Sequence, residues 1–146
     1  RKILLQNSHG GNSAGIQVLL QRLMEKYQDD EAEFYSRWAW AANDTLNSIR
    51  TLPGGSGHAG ETETSMMLAI RPDLVKTDRL DVDGEREGMR VPGVSGYHRF
   101  DQRTKHGGVG DPRPSTSEMG EALLEASAAE VARDVVAIRA LHPFER

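Results

Sequence analysis

The chain has 146 residues, 37% of them hydrophobic, which is enough for one ordinary domain with a buried core. Its 18 basic and 22 acidic residues are interspersed and leave a net charge of -4, so no cationic stripe points to nucleic acid or to an anionic membrane. Cysteine is absent, which excludes disulfides, thiolate metal sites and cysteine nucleophiles, and no apolar stretch approaches the roughly 18 residues that span a bilayer. The expectation is a cytoplasmic enzyme or binding protein in which any transition metal must use His, Asp or Glu.

The chain opens Arg1-Lys2-Ile3-Leu4-Leu5-Gln6, without an initiator methionine and at once apolar. Such a start predicts a preceding segment removed from the chain, the alternatives being a trimmed tag or a removed initiator. Ile3 to Leu5 reads as a core strand that ends in the loop Asn7 to Asn12, NSHGGN. Beyond it, Ile16, Leu19, Leu20, Leu23, Met24 and Tyr27 recur at helical spacing, predicting a helix from Ser13 to about Gln28 with one apolar stripe and a cap at Asn12 or Ser13. Asp29 to Glu33 is a polar break. Phe34, Trp38 and Trp40 then alternate with Tyr35, Arg37 and Ala39, which predicts a second strand.

Asn43 to Arg50 suits a short helix, and Pro53 to Gly60, with four glycines in eight residues, must be a loop. Glu61 to Ile70 reads as a helix with acids in the first turn, where the dipole favours them, and with Arg71-Pro72 closing it. A short strand is expected within Asp78 to Gly84. Gly88 to Gly110 is broken by glycines and lacks a period, so it reads as a long functional loop. Ser115-Thr116-Ser117-Glu118 reads as a capping box that opens a last helix, with Met119, Leu123, Ser127, Val131, Val135 and Ile138 as its stripe and Pro143 beyond its end. Alternating strands and helices, with no internal repeat, argue an α/β layered fold.

Ligands of open α/β sheets bind beyond the carboxyl ends of the strands, which places His9 well. A polar turn would account for everything in NSHGGN except the histidine. The run Gly10 to Gly15 misses the dinucleotide fingerprint, and no Walker lysine follows. Neither Gly93-Val94-Ser95-Gly96 nor Gly54-Gly55-Ser56-Gly57-His58 has the spacing of a serine-hydrolase elbow. In the second glycine loop His58 stands just ahead of Glu61 and Glu63. An imidazole beside a carboxylate suits a metal or a proton transfer, the bland alternative being acids that only offset the helix dipole.

Three blocks carry a more specific signal: His9-Gly10-Gly11-Asn12 after a strand, GHAGETETSMMLAIRPDLV from Gly57 to Val75, and GGVGDPRPSTSEMGEALL from Gly107 to Leu124. In this order and over nearly the whole chain they resemble the creatininase family, the creatinine amidohydrolases. The resemblance implies a layered α/β/α fold with a mostly parallel sheet and two divalent metals per complete site, zinc, manganese or iron. These activate water against a C–N bond of a cyclic amide or related small amide. His9 then matches a metal-binding histidine and Glu63 a carboxylate on the other metal. His58 matches the histidine beside the substrate that passes a proton to the leaving nitrogen. Gly10, Gly11, Gly57 and Ala59 would line the substrate, Asn7 and Asn12 would fix the first loop, and Glu61 would support the second. A homo-oligomer, a hexamer built as a trimer of dimers, is also implied.

This sequence departs from the pattern in three places. Creatininase itself has a glutamate ligand where Gly11 stands, and family members carry a tryptophan at the position of Gly54, so a substrate other than creatinine is expected. Relatives in the broader family cleave formamides, process a peptide-derived redox cofactor or open oxidised inositol-type rings. The family's first half supplies an E-x-H motif and a bridging aspartate, and no E-x-H occurs here. Residues 1–146 therefore read as the C-terminal portion of one creatininase-like domain, its other ligands supplied by the N-terminal half as a segment or separate chain. The alternative is a non-catalytic fragment that binds a ligand or partner chain. The loop from Val91 to Gly110 is expected to shape the pocket, with His98 and His106 on the substrate side, His142 structural and Asp111 a turn residue.

Overall fold

A computed structural model of the chain describes residues 1–28, 32–52, 57–84, 88, 91–94 and 96–141. The predicted polar break at 29–31, the loop positions 53–56, Ser95, His142 and Pro143 lie outside these. The chain divides into two compact units, one formed by Arg1–Ala42 with the chain from Ala126 on, the other by Asn43–Glu125.

In the first unit, β1 (Lys2–Asn7) pairs in parallel with β2 (Glu33–Trp38), in register from Lys2 opposite Glu33 to Asn7 opposite Trp38. Parallel neighbours need a crossover, and α1 (Ser13–Lys26) provides it. The predicted single stripe on α1 divides. Ile16, Leu20, Leu23 and Tyr27 are half-buried, Tyr27 lying against Phe34 with ring centroids 5.7 Å apart, whereas Leu19 and Met24 are exposed. The predicted side-chain cap at Asn12 or Ser13 is also absent. A single 3₁₀ turn, Gly10–Asn12, feeds the helix, and Asn12 already has helical dihedrals, which leave its side chain unable to act as a cap.

The last helix, α5 (Ser117–Ala140), belongs to the second unit as far as Glu125 and to the first beyond it. In the first unit it meets β2 and the residues after it through polar groups. Ser127 Oγ, buried in the apolar stripe, accepts the Ala41 N–H at 3.0 Å, Glu130 accepts the Ala42 N–H at 2.7 Å, and Asp134 lies 2.7 Å from Arg37 Nε. These contacts satisfy backbone amides just where the β2 ladder ends.

The second unit contains α2 (Asn43–Ile49), α3 (Glu61–Ile70), α4 (Phe100–Arg103) and the start of α5. Leu46, Met66 and Leu123 are its buried apolar residues, but the inward face of α3 is largely polar: Glu61, Thr62 and Ser65 are fully buried. The α3–α5 approach is set by glycine. A Cβ on Gly120 would lie 1.9 Å from the Ser65 carbonyl oxygen, so only a residue without a side chain fits. The expected strand within Asp78 to Gly84 is replaced by a 3₁₀ turn at Thr77–Arg79 and one isolated antiparallel bridge between Asp83 and Gly110. The capping box is displaced by one residue: Thr116 Oγ1 accepts the Met119 N–H at 3.1 Å, which puts a methionine where the reciprocal carboxylate would stand.

Candidate active site

Asn7, at the end of β1, is buried and organises the first loop. Its Oδ1 accepts the His9 N–H at 3.1 Å and the Asn12 amide at 3.5 Å, while its Nδ2 donates to Ser13 Oγ at 3.3 Å. Its carbonyl accepts the Ala39 N–H at 2.7 Å, fastening the loop to the end of β2. His9 is extended and exposed, with its ring over Gly11. Nothing stands within 4 Å of a Cβ built on Gly10, so that side of the loop is open. A cavity of about 400 Å³ lies at the carboxyl ends of both strands, lined by Asn7, Ser13, Ile16, Arg37 and Trp38 among others.

The second loop is more tightly built. A Cβ on Gly57 would lie 1.7 Å from the Val109 carbonyl oxygen, so the Gly107 to Gly110 stretch of the long loop presses directly on it. Ala59 adopts φ 53°, a left-handed conformation unusual for a residue with a side chain. This turns its N–H towards Glu63, whose Oε2 accepts it at 2.6 Å. His58 Nδ1 lies 3.8 Å from the same oxygen, too far for a hydrogen bond, and the His58 ring rests against Phe100 with centroids 4.5 Å apart. The Ala59 N–H is thus engaged by the carboxylate, and Gly57 is the packing point under the loop.

Glu61 is not an exposed acid offsetting the dipole. It is fully buried, and its two oxygens accept the N–H groups of Thr51 and Leu52 at 3.0 and 2.9 Å, together with the Thr51 hydroxyl. It therefore anchors the chain entering the glycine loop to the first turn of α3.

Two further residues of this site, Phe100 and Asp83, carry no signal in the sequence that would single them out. Asp83 accepts the backbone N–H groups of Gly84, Lys105, His106 and Gly108. Burial pushes its carboxyl up, but those four donors outweigh burial and hold it well below the usual carboxylate range. His98 and His106 are exposed, His106 Nε2 lying 3.9 Å from Asp81. Asp111 accepts both the guanidinium and the backbone N–H of Arg113, which hold its carboxyl down to about 2.

In donor type, His9, His58 and Glu63 suit zinc or manganese. A catalytic zinc takes three protein ligands, and among the described residues no group of three or more His, Asp or Glu could hold one ion.

The sequence profile of the family Creatininase, described as creatinine amidohydrolase, matches residues 1–135. The chain belongs to the creatininase family. Among curated relatives, the mycofactocin precursor peptide peptidase of Mycobacterium ulcerans (strain Agy99) is 28% identical over 128 residues, covering 84% of this chain and 43% of its own length. This creatininase-family chain thus spans about half the length of the curated relatives it matches. A solved structure described as creatininase Mn shares 24% identity and a TM-score of 0.66 over 90% of this chain and 54% of its own. A mutant creatininase described as Zn-Zn type shares 26% identity and a TM-score of 0.62 over 90% of this chain and 54% of its own. Manganese and zinc forms thus occur among these solved creatininases, and this chain shares their α/β fold. Among the described residues, no helix is long and apolar enough to cross a membrane.

Proposed function

We propose that this chain is the C-terminal portion of a metal-dependent creatininase-type hydrolase that cleaves a C–N bond of a small cyclic amide or related amide. The observation that carries the reading is the His58–Glu63 arrangement: an imidazole 3.8 Å from a carboxylate that a left-handed Ala59 holds in place. The manganese and zinc forms of its structural relatives support divalent metals, two per complete site, with His9 a ligand to one and Glu63 to the other. The remaining ligands come from the N-terminal half of the same enzyme, as a segment or second chain. When bound, such metals lower the pKa of water towards about 7 and polarise the carbonyl. His58 has a separate role, in which its ring, backed by Phe100, passes a proton to the leaving nitrogen. The Gly10 edge, free of side chains, admits the substrate. The working form is a homo-oligomer, a hexamer, in the cytoplasm.

The peptidase names of the curated relatives extend the substrate class to peptide amides. A second reading, a non-catalytic chain that binds a partner, draws on the exposed Val18, Leu19 and Met24 of α1. One experiment separates them. The purified protein is analysed for metal and for every accompanying polypeptide, then assayed with creatinine and with a short peptide as probes. About two metals per complete site, with hydrolysis that falls at least a hundredfold in His58→Asn, is the expected result. A lone, metal-free and inert chain overturns catalysis by this chain by itself, and a metal-free protein inert to the peptide with the N-terminal half present overturns the hydrolase.

A further inference from the structure

Asp83 has no part in the chemistry proposed above, yet it collects more backbone donors than any other carboxylate described in the second unit. Its oxygens accept the N–H groups of Lys105, His106 and Gly108, residues 22 to 25 positions away along the chain. Its own backbone is bridged to Gly110 in both directions, Asp83 N–H to Gly110 O at 3.1 Å and Gly110 N–H to Asp83 O at 2.8 Å. Between these anchors, the Val109 N–H points the other way and donates to the His58 carbonyl at 2.7 Å. The Val109 carbonyl, in turn, occupies the space over Gly57.

The other end of the same loop reaches the His58 ring. Thr104 is buried, its hydroxyl donating to the Phe100 carbonyl at 2.8 Å and accepting the Gly107 N–H at 3.0 Å. Phe100 is the residue against which His58 stacks. One carboxylate therefore holds a loop that touches the histidine twice, at its backbone carbonyl and, through Thr104, at its aromatic neighbour.

We infer that Asp83 is a positioning residue for His58, acting through the backbone of Lys105 to Gly110 and without touching the reacting groups. The inference rests on the functional reading of His58 above. A carboxylate suits this work because backbone donors converge on both its oxygens, and an amide at position 83 would turn an NH₂ group towards at least one of them.

The test compares Asp83→Asn with the wild-type protein and with an Asp81→Asn control in the neighbouring exposed carboxylate. Two readouts need no substrate: hydrogen exchange at the Val109 amide, and the NMR position of the His58 ring protons, which the Phe100 ring current displaces. Asp83→Asn should speed Val109 exchange at least tenfold and move the His58 resonance towards that of a histidine without an aromatic neighbour; Asp81→Asn should do neither. Gly57→Ala, which strikes the Val109 carbonyl from the opposite side, should move the His58 resonance with Asp83 intact. Wild-type exchange and a wild-type His58 resonance in Asp83→Asn would overturn the inference. So would global unfolding of both variants, which would make the loop a folding element. Hydrolysis at the wild-type rate by His58→Asn would remove the functional reading instead, with both substrate-free readouts unchanged.

Discussion

The His9 imidazole lies over Gly11 so closely that a Cβ on residue 11 would stand 2.7 Å from Nε2. Glycine here permits the ring position and does so without backbone strain, since its φ is not in the left-handed region. Gly11→Ala should therefore swing the ring aside while changing stability by no more than about 0.5 kcal/mol, as for other exposed positions. Metal content by elemental mass spectrometry should fall in the variant, with an unchanged melting temperature; unchanged metal content would separate His9 from metal binding.

Glu61→Ala should be far more damaging than its place in a first helical turn suggests. Removing the carboxylate leaves the N–H groups of Thr51 and Leu52 without their acceptor. A hydrogen bond to a charged group contributes about 1.5–3 kcal/mol, and with Thr51 exposed and Leu52 half-buried the two together should sit at the low end, a loss of about 3 kcal/mol read from the midpoint of urea unfolding. A loss under about 0.5 kcal/mol would mean that water replaces the carboxylate at no cost.

Gly120→Ala tests the closeness of α3 and α5. The added methyl would meet the Ser65 carbonyl oxygen at 1.9 Å and the Ala69 methyl at 2.9 Å. Neither is the end of a flexible chain, so the helices must separate, at an overpacking cost of about 1–3 kcal/mol. Thermal unfolding of the variant measures it directly, and an unshifted transition would place the helices further apart than described.

The loop held by Asp83 should be resistant to mild acid. Its folded pKa is depressed below the unfolded value of about 3.9, so its stabilisation is complete above that value and is lost only as pH falls through the lower, folded one. Amide protection of Lys105 and Gly108 should thus persist at about pH 4.5 to 5, where an unshifted carboxylate begins to protonate. Loss of protection between about pH 6 and 5 would assign the loop's order to some other group.

Periodicity and end signals made the elements legible where side chains decide the structure. Glu61 to Ile70 has the predicted bounds because acids open it and Arg71-Pro72 closes it. The strand at Glu33–Trp38 follows from its alternation. What remained hidden depends on the backbone. No spacing rule connects Asp83 to amides more than twenty residues downstream, because an amide donor has no letter in the sequence. Asn7, buried as a hub for its loop, outcompeted the expected cap at Asn12, since one side chain could satisfy His9, Asn12 and Ser13 together. Of the candidate site, His58 and Glu63 are brought together as their spacing suggested, while Phe100 joins them from α4, a short helix inside a stretch that its glycines and lack of period marked only as a loop.

The division of the chain also bears on its assembly. Asn43–Glu125 is one uninterrupted stretch of chain. The unit that holds β1 and β2 lacks that continuity, because Ser127, Glu130 and Asp134, the polar partners of Ala41, Ala42 and Arg37, are made long after β2; Ala41 and Ser127, for instance, are 86 apart. Closing so wide a loop is slow, and until it closes the Ala41 and Ala42 amides lack these partners. Substitutions of Ser127, Glu130 or Asp134 should thus be felt first as slower fastening of the end of β2 during synthesis, before they are felt in the finished fold.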